Sequence, residues 1–357
     1  MGKDEALLTV VLVACAGLVL AVMTFPTARP RIIDTEPKDE PDITITPVSP
    51  DVPSLKSLRA RTLPDGGAPV VDPHMRYLAS LTWGNGKNQL GRSRPRDGNP
   101  AAPMSLTTDA AGNPWVLDQV NRRIVKFDDK GRPASDVPLV LSRARDLAVA
   151  KNGRTVVLTE TGVGLLEPEG KMAGEFGLDG KPNGLALDGD DIYVSYDDGR
   201  TVRVGDVSGK PDTARKVVTG RPSRDGRSFI TADILDGARG KVVVGSTDRS
   251  TGERRFAREL SFGMPVMTVL LAETDPTGLI YLAALGERTQ PGAQEPTATV
   301  DLFCLDPADG RPLGRAELPA NTSADATFRE MTVPDTGGVI YLYRTEAHAE
   351  LRRVDCR

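Results

Sequence analysis

"GNPWVLDQVNRRIVKFDDKG", Gly112–Gly131, decides the fold. It carries two apolar bursts, a polar corner between them and a glycine at each end. β-branched and aromatic residues bounded by Gly, Asn and Asp read as a β-hairpin. A two-stranded hairpin is at best marginally stable alone in water, so the rest of the chain must supply partners.

Working outward, the same pattern recurs. "MSLTTDAAGNPWVLD", "RDLAVAKNGRTVVLT", "NGLALDGDDIYVS", "FITADILDGARGKVVVG", "TVLLAETDPTGLIYLA" and "REMTVPDTGGVIYLY" each read as strand, Gly/Asp turn, strand. The second strands centre on Val116, Val157, Tyr193, Val243, Tyr281 and Tyr341, at spacings of 41, 36, 50, 38 and 60 residues. A period near 40–50 residues with several strands per unit predicts propeller blades. The two long spacings require insertions, and "STDRSTGERR" and "GERTQPGAQEPTAT" are polar enough to be loops. The last unit has only three strands, ending "AELRRVDCR", while "MRYLASLTWG" (Met75–Gly84) is a strand without a hairpin. The expectation is that this leading strand, Arg76–Trp83, pairs with Ala349–Cys356 and closes the ring.

Residues Leu81–Gly131 resemble an NHL repeat: Pro103 leads the inner strand, Gly112 sits in the turn, and Asp118, Asn121, Arg123, Ile124, Phe127, Asp128 and Gly131 follow. The later repeats keep little beyond the strand rhythm. The resemblance spans about residues 77–357 and implies a six-bladed β-propeller, all-β, with four-stranded blades. It implies little about chemistry, since sites are grafted onto folds. Peptidyl-hydroxyglycine lyases of the NHL type hold zinc with several channel histidines. This chain has two, His74 in a linker and His348 in a polar turn, so that chemistry is not supplied. The gluconolactonase and senescence-marker type holds a calcium-like ion. "PNGLAL" (Pro182–Leu187) resembles its asparagine motif, which carries Asn183 over as a ligand. The next expected ligand, an aspartate, falls at Tyr196, with Asp197 one residue on and hence on the opposite strand face. An Asn-Gly turn before a strand is the simpler reading. No G-x-S-x-G, P-loop or H-E-x-x-H occurs. Acid clusters such as "DGDD" read as hairpin turns. The loop "RSRPRDG" (Arg92–Gly98) is cationic and could meet an anionic partner, though a solvated loop is the simpler assignment.

Ahead of the propeller, Ala6–Phe25 is a twenty-residue run without a charge, long enough at about 1.5 Å per residue to span a ~30 Å hydrocarbon layer. A short tail (1–5) precedes it. It reads as an uncleaved transmembrane signal-anchor (6–25); a cleaved signal peptide, or a lipoprotein signal at Cys15, are the rival readings. Flanking Lys3, Arg29 and Arg31 leave the orientation open, while the short head favours export of the C-terminal part. A Pro-rich linker (26–76) follows, with ten prolines between Pro26 and Pro73. Its composition predicts an extended spacer.

The net charge of −4 carries no nucleic-acid footprint. Cys304 and Cys356 fall near the ends of equivalent third strands in neighbouring blades and are a candidate disulfide in an exported domain. The expected function is a membrane-tethered, extracytoplasmic, non-catalytic scaffold of the bacterial envelope, lying in the inner membrane with its propeller in the periplasm. It would bind a protein or ligand partner and use no catalytic residue, metal or cofactor. The alternative is a divergent calcium-dependent lactonase-like hydrolase using Asn183.

Overall fold

The computed structural model describes residues 75–289 and 295–357. The expected signal-anchor helix at 6–25, nearly all of the linker at 26–76, and His74 lie outside these residues. Among the described residues no helix is long and apolar enough to cross a membrane.

In the opening stretch, Pro114–Asp118 and Arg123–Phe127 are antiparallel strands, and the polar corner is one 3-10 turn at Gln119–Asn121 closed by Arg122 in the left-handed region, φ 54°. The buried Asp118 carboxylate explains that corner's composition. It accepts from Asn121 Nδ2 (2.8 Å), Arg123 Nε (2.9 Å) and Gly91 N (2.9 Å). Arg123 also donates to the carbonyls of Gln89 (2.6 Å) and Gly86 (3.1 Å). Asp118, Asn121 and Arg123 therefore lace the hairpin to the 84–91 lead-in, and their role is structural. Gly91 permits the approach, because a Cβ there would lie 2.6 Å from Asp118 Oδ1.

β1 (Arg76–Trp83) and β2 (Gln89–Leu90) lead into the first blade, β3–β6 (Ser105–Thr108, Pro114–Asp118, Arg123–Phe127, Pro133–Pro138). The second blade is β7–β10 (Asp146–Val149, Thr155–Leu158, Gly162–Leu166, Met172–Gly177), and the third is β11–β14 (Pro182–Asp188, Asp191–Tyr196, Arg200–Asp206, Val217–Thr219). The fourth is β15–β18 (Arg221–Pro222, Ser228–Asp236, Lys241–Asp248, Arg254–Ser261), and the fifth is β19–β22 (Val266–Thr274, Ile280–Arg288, Thr297–Leu305, Pro312–Pro319). The sixth contains β23–β25 (Met331–Thr332, Val339–Arg344, His348–Val354). Five sheets have four strands and the last has five, in the order β2-β1-β25-β24-β23. The chain is a six-bladed β-propeller.

Ring closure follows the orphan-strand expectation. β1 runs antiparallel to β25 from Arg76↔Arg353 to Thr82↔His348. The structure adds β2, which pairs parallel to β1 at Thr82↔Gln89 and Trp83↔Leu90, as a fifth and outermost strand.

Each seam between blades is filled by an apolar cluster, because each sheet has two apolar faces to bury. Blades five and six share the largest, around Tyr281, Leu302, Tyr341 and Val354. Blades three and four share the smallest, whose buried members are Ala186, Tyr193 and Phe229.

The fourth blade departs from the sequence reading. The strand around Val243 is the third of its blade, not the second, since "FITADIL" forms β16 and a two-residue inner strand, Arg221–Pro222, precedes it. This inner strand lies in "GRPSRDG", which has no aliphatic residue, so there is no apolar run to find by pattern. β16 takes over part of its place and packs beside β19. The basic run within 252–258 is also not an insertion; Arg254–Ser261 is the outer strand β18. "STDRSTGERR" supplies the ends of β17 and β18 around a short turn.

Cys304 lies in β21 and Cys356 two residues beyond β25. The structure joins them as a disulfide, with the Cα atoms 5.8 Å apart. They bridge neighbouring third strands at the largest apolar seam. Closing a loop 52 residues long constrains the unfolded chain by up to about 4 kcal/mol. The expected result of reduction is a lower melting temperature for the wild type and no change for Cys304→Ser. Equal sensitivity of both proteins to reductant, or three free thiols rather than one in denatured, non-reduced protein, would refute the bridge.

Candidate functional site

The inner strands bring charged residues, not apolar ones, to the propeller axis. Asp146, fully buried at the start of β7, accepts from Ser105 Oγ (2.5 Å) and from the backbone N–H groups of Leu147 (2.9 Å) and Leu185 (3.1 Å). It also pairs with Arg329, the residue two before β23. Arg329 donates to Leu185 O (2.5 Å) and lies 3.9 Å from Glu273 of β19. Arg221 of β15 pairs with Glu273 Oε1 (2.7 Å) and donates to Leu185 O (2.9 Å). Glu273 accepts from Val333 N (3.2 Å). Ser105, Asp146, Leu185, Arg221, Glu273 and Arg329 come from blades one to six in turn, so one polar network ties every blade to the axis.

The segment before β23 also crosses the axis. Ala326 bridges to Ala101, Phe328 N donates to Met104 O (2.8 Å), and the Phe328 ring packs on the shared core of blades two and three. On the other side of the network a cavity of about 230 Å³ opens among the turns between first and second strands. Its floor is Arg221, Glu273 and Arg329; its walls include Ala148, Leu185, Ala186 and Pro222.

Charge in this floor is strongly coupled. Burial works to raise the Glu273 pKa, but Arg221, Arg329 and Arg224 outweigh it and hold the carboxyl below its ordinary range. Burial lowers the pKa of Arg221. Arg224 completes the group, with Nη1 on Asp335 (2.7 Å) and Nη2 4.0 Å from Glu273 Oε2.

The residues singled out in the sequence lie elsewhere. Asn183 is exposed at a bulge in β11, between the pairs Pro182↔Tyr196 and Gly184↔Ser195, and does not line the cavity. Tyr196 is buried and Asp197 exposed. Among the described residues no three His, Cys, Asp or Glu side chains converge as a metal-holding group. His348 opens β25 half-buried and hydrogen-bonds Glu350 (2.7 Å). Two of the three arginines of the cationic loop are paired within the propeller: Arg92 with Asp325 (2.9 Å), and Arg92 and Arg94 with Glu346 (3.1 and 2.7 Å), while Arg96 is exposed.

The axial residues were missed because they are scattered across more than 200 positions. A signal existed: "RDLAV" and "REMTV" both place an Arg–acid pair at the entry to an inner strand. Arg145–Asp146 supplies its acid to the axis, and Arg329–Glu330 supplies its arginine.

No protein-family model and no curated protein matches this sequence. Among solved structures it is similar to hydrazine synthase of Kuenenia stuttgartiensis, at 14% identity and TM-score 0.46 over 70% of this chain and 75% of that one. It is similar to the WD40 repeats of RRP9, at 10% identity and TM-score 0.47 over 82% and 99%. It is also similar to regucalcin, a calcium-binding protein of Agrobacterium tumefaciens, at 16% identity and TM-score 0.41 over 71% and 92%. At such identities these likenesses carry nothing about chemistry. The six-bladed assignment rests on the sheet order described above, and the NHL resemblance stands only at the level of that architecture.

Proposed function

We propose that this protein is a membrane-tethered, non-catalytic binding module of the bacterial envelope, displayed outside the cytoplasm on its Pro-rich segment. The observation that carries the reading is the axial network. The two acids at the axis, Asp146 and Glu273, are each paired with arginine and hydrogen-bonded to backbone. A hard cation needs several uncommitted oxygen ligands converging on one point. A hydrolytic site needs an acid or base free to exchange its proton. Carboxylates held this way instead fix the ring rigidly, leaving its loops as the surface that varies. The Cys304–Cys356 bridge supports an oxidising compartment, and the Ala6–Phe25 run supports the anchor.

The test runs on the full chain in membranes. Alkaline extraction should leave the protein in the membrane pellet, and added protease should reach the propeller from the periplasmic side only. Purified protein should melt at the same temperature with calcium and with chelator, and should not open an aliphatic lactone. Lactone opening that needs calcium and is lost in Asn183→Ala would overturn the reading in favour of the lactonase-like hydrolase.

A further inference from the structure

Arg221 and Arg224 are joined to the floor by fewer contacts than a guanidinium can make. Arg221 spends only Nη2, on Leu185 O and Glu273 Oε1; its Nε and Nη1 make no hydrogen bond among the described residues. Those atoms are not sealed from solvent, since a quarter of the side chain (24%) is accessible and the residue lines the cavity. Arg224 is similar, with Nη1 on the half-exposed Asp335 and Nη2 only within 4.0 Å of Glu273. Three guanidinium groups thus sit within 4.0 Å of one Glu273 carboxylate. Arg329 is mainly engaged by Asp146, so Arg221 keeps Glu273 and Arg224 keeps Asp335 as acid partners, and what the two arginines leave open at the cavity floor is hydrogen-bonding capacity.

The nearby acids do not fill that role. Asp109 is held by the N–H groups of Ala111, Asn113 and Trp115. Asp188 pairs with Arg249. Across the ring, Thr108 lines the same cavity, is 6% exposed, and its Oγ1 has no hydrogen-bond partner. A buried hydroxyl without a partner is destabilising; its oxygen has almost no accessible surface, so a ligand group would meet it by drawing the side chain toward the cavity. Between these two polar ends the walls are Ala148, Leu185 and Ala186.

We propose that this cavity is a binding site for a small organic carboxylate. The carboxylate would lie on the free edges of Arg221 and Arg224, drawing Arg224 from Asp335. A short apolar body would rest on Ala148 and Ala186, and a hydroxyl or amide would draw Thr108 toward the cavity. Guanidinium forks match a carboxylate bidentately and are strongest where water is excluded. At about 230 Å³ the space lies below the ~300–1,000 Å³ of drug-sized pockets, which limits the ligand to metabolite size. The proposal deepens the binding-module reading, naming the ligand class, and rests on it.

The experiment is isothermal titration of the full chain in detergent with 4-hydroxybutyrate, butyrate and inorganic phosphate, at fixed ionic strength. Saturable binding of 4-hydroxybutyrate is expected, weaker with butyrate, which cannot reach Thr108. Arg224→Gln, which gives up a partly exposed pairing with Asp335 of the sixth blade, should weaken it at least tenfold, and the melting temperature of the variant, read alongside, should stay within a few degrees of the wild type. Thr108→Val should remove the preference for 4-hydroxybutyrate over butyrate. Absence of saturable carboxylate binding, binding of phosphate alone, or unchanged affinity in Arg224→Gln would each overturn the site. Such a failure leaves the membrane fractionation and lactone assays untouched, so the two readings fall separately.

Discussion

Deleting residues 349–357 should abolish cooperative unfolding altogether, leaving protein that oligomerises or is cleaved readily. The segment contains nearly all of β25, with Ala349, Leu351, Val354 and Cys356 fully buried. Each large side chain withdrawn from such a site forfeits roughly 1.5–3 kcal/mol. The disulfide goes with it, and β1 and β24 are left as two open strand edges, which invite pairing with other chains. Against a typical total of about 5–15 kcal/mol, those losses together exceed what a domain holds in reserve. The measurement is differential scanning calorimetry of the truncated chain beside Cys304→Ser, which lacks only the bridge. A truncated protein that melts like the Cys304→Ser variant would show that tail-to-head pairing does not hold the ring.

The second large effect is expected at the axis. Asp146→Ala should destabilise the protein by about 3–5 kcal/mol, because it leaves the nearly buried Arg329 guanidinium without its main partner. Replacing both, as Asp146→Leu with Arg329→Met, should recover most of that loss, since a packed apolar pair is often as stable as a buried ion pair. Denaturant unfolding of the single and double variants checks this; a double variant no better than the single would mean the charges themselves are required. The same network sets an acid limit. Glu273 has its folded pKa held below the unfolded value, so its contribution is complete above about pH 4.3 and is lost as the pH falls through the folded pKa. Buried Glu330 works in the opposite direction, its pKa raised by burial against the pull of Arg344. Comparison with Glu273→Gln isolates the first effect: the variant should be less stable at neutral pH and lose less on acidification.

Strand alternation, turn residues and repeat spacing made the six blades and their closure legible in the sequence, because these are local signals repeated six times. The fourth blade broke the reading for a local reason. Its inner strand is two residues long, and β16 was counted in its stead. The axial site was hidden for a non-local reason. Asp146, Arg221, Glu273 and Arg329 are far apart in the sequence, and apart from the Arg–acid pairs at 145–146 and 329–330 nothing sets them off from ordinary surface charges. Only the circular arrangement reveals that they face one another. The motif residues Asp118, Asn121 and Arg123, which look functional, hold a loop in place. Asn183, carried over from a family resemblance, sits exposed on a bulge and is not part of the cavity lining.

The thin seam between blades three and four has a consequence for how the ring breathes. The non-covalent joint between head and tail is reinforced by a long ladder and lies beside the bridged seam, whereas blades three and four, joined by continuous chain, share only Ala186, Tyr193 and Phe229 as buried apolar members. Sub-global opening follows the least buried contact area rather than the covalent order. The ring is therefore a clasp whose hinge lies opposite its fastening. Amides of β14 and of Arg221 in β15 should trade their protons for deuterium well before those of β1 and β25. Arg221 stands at that seam, so a ligand held on its guanidinium would be expected to slow this exchange.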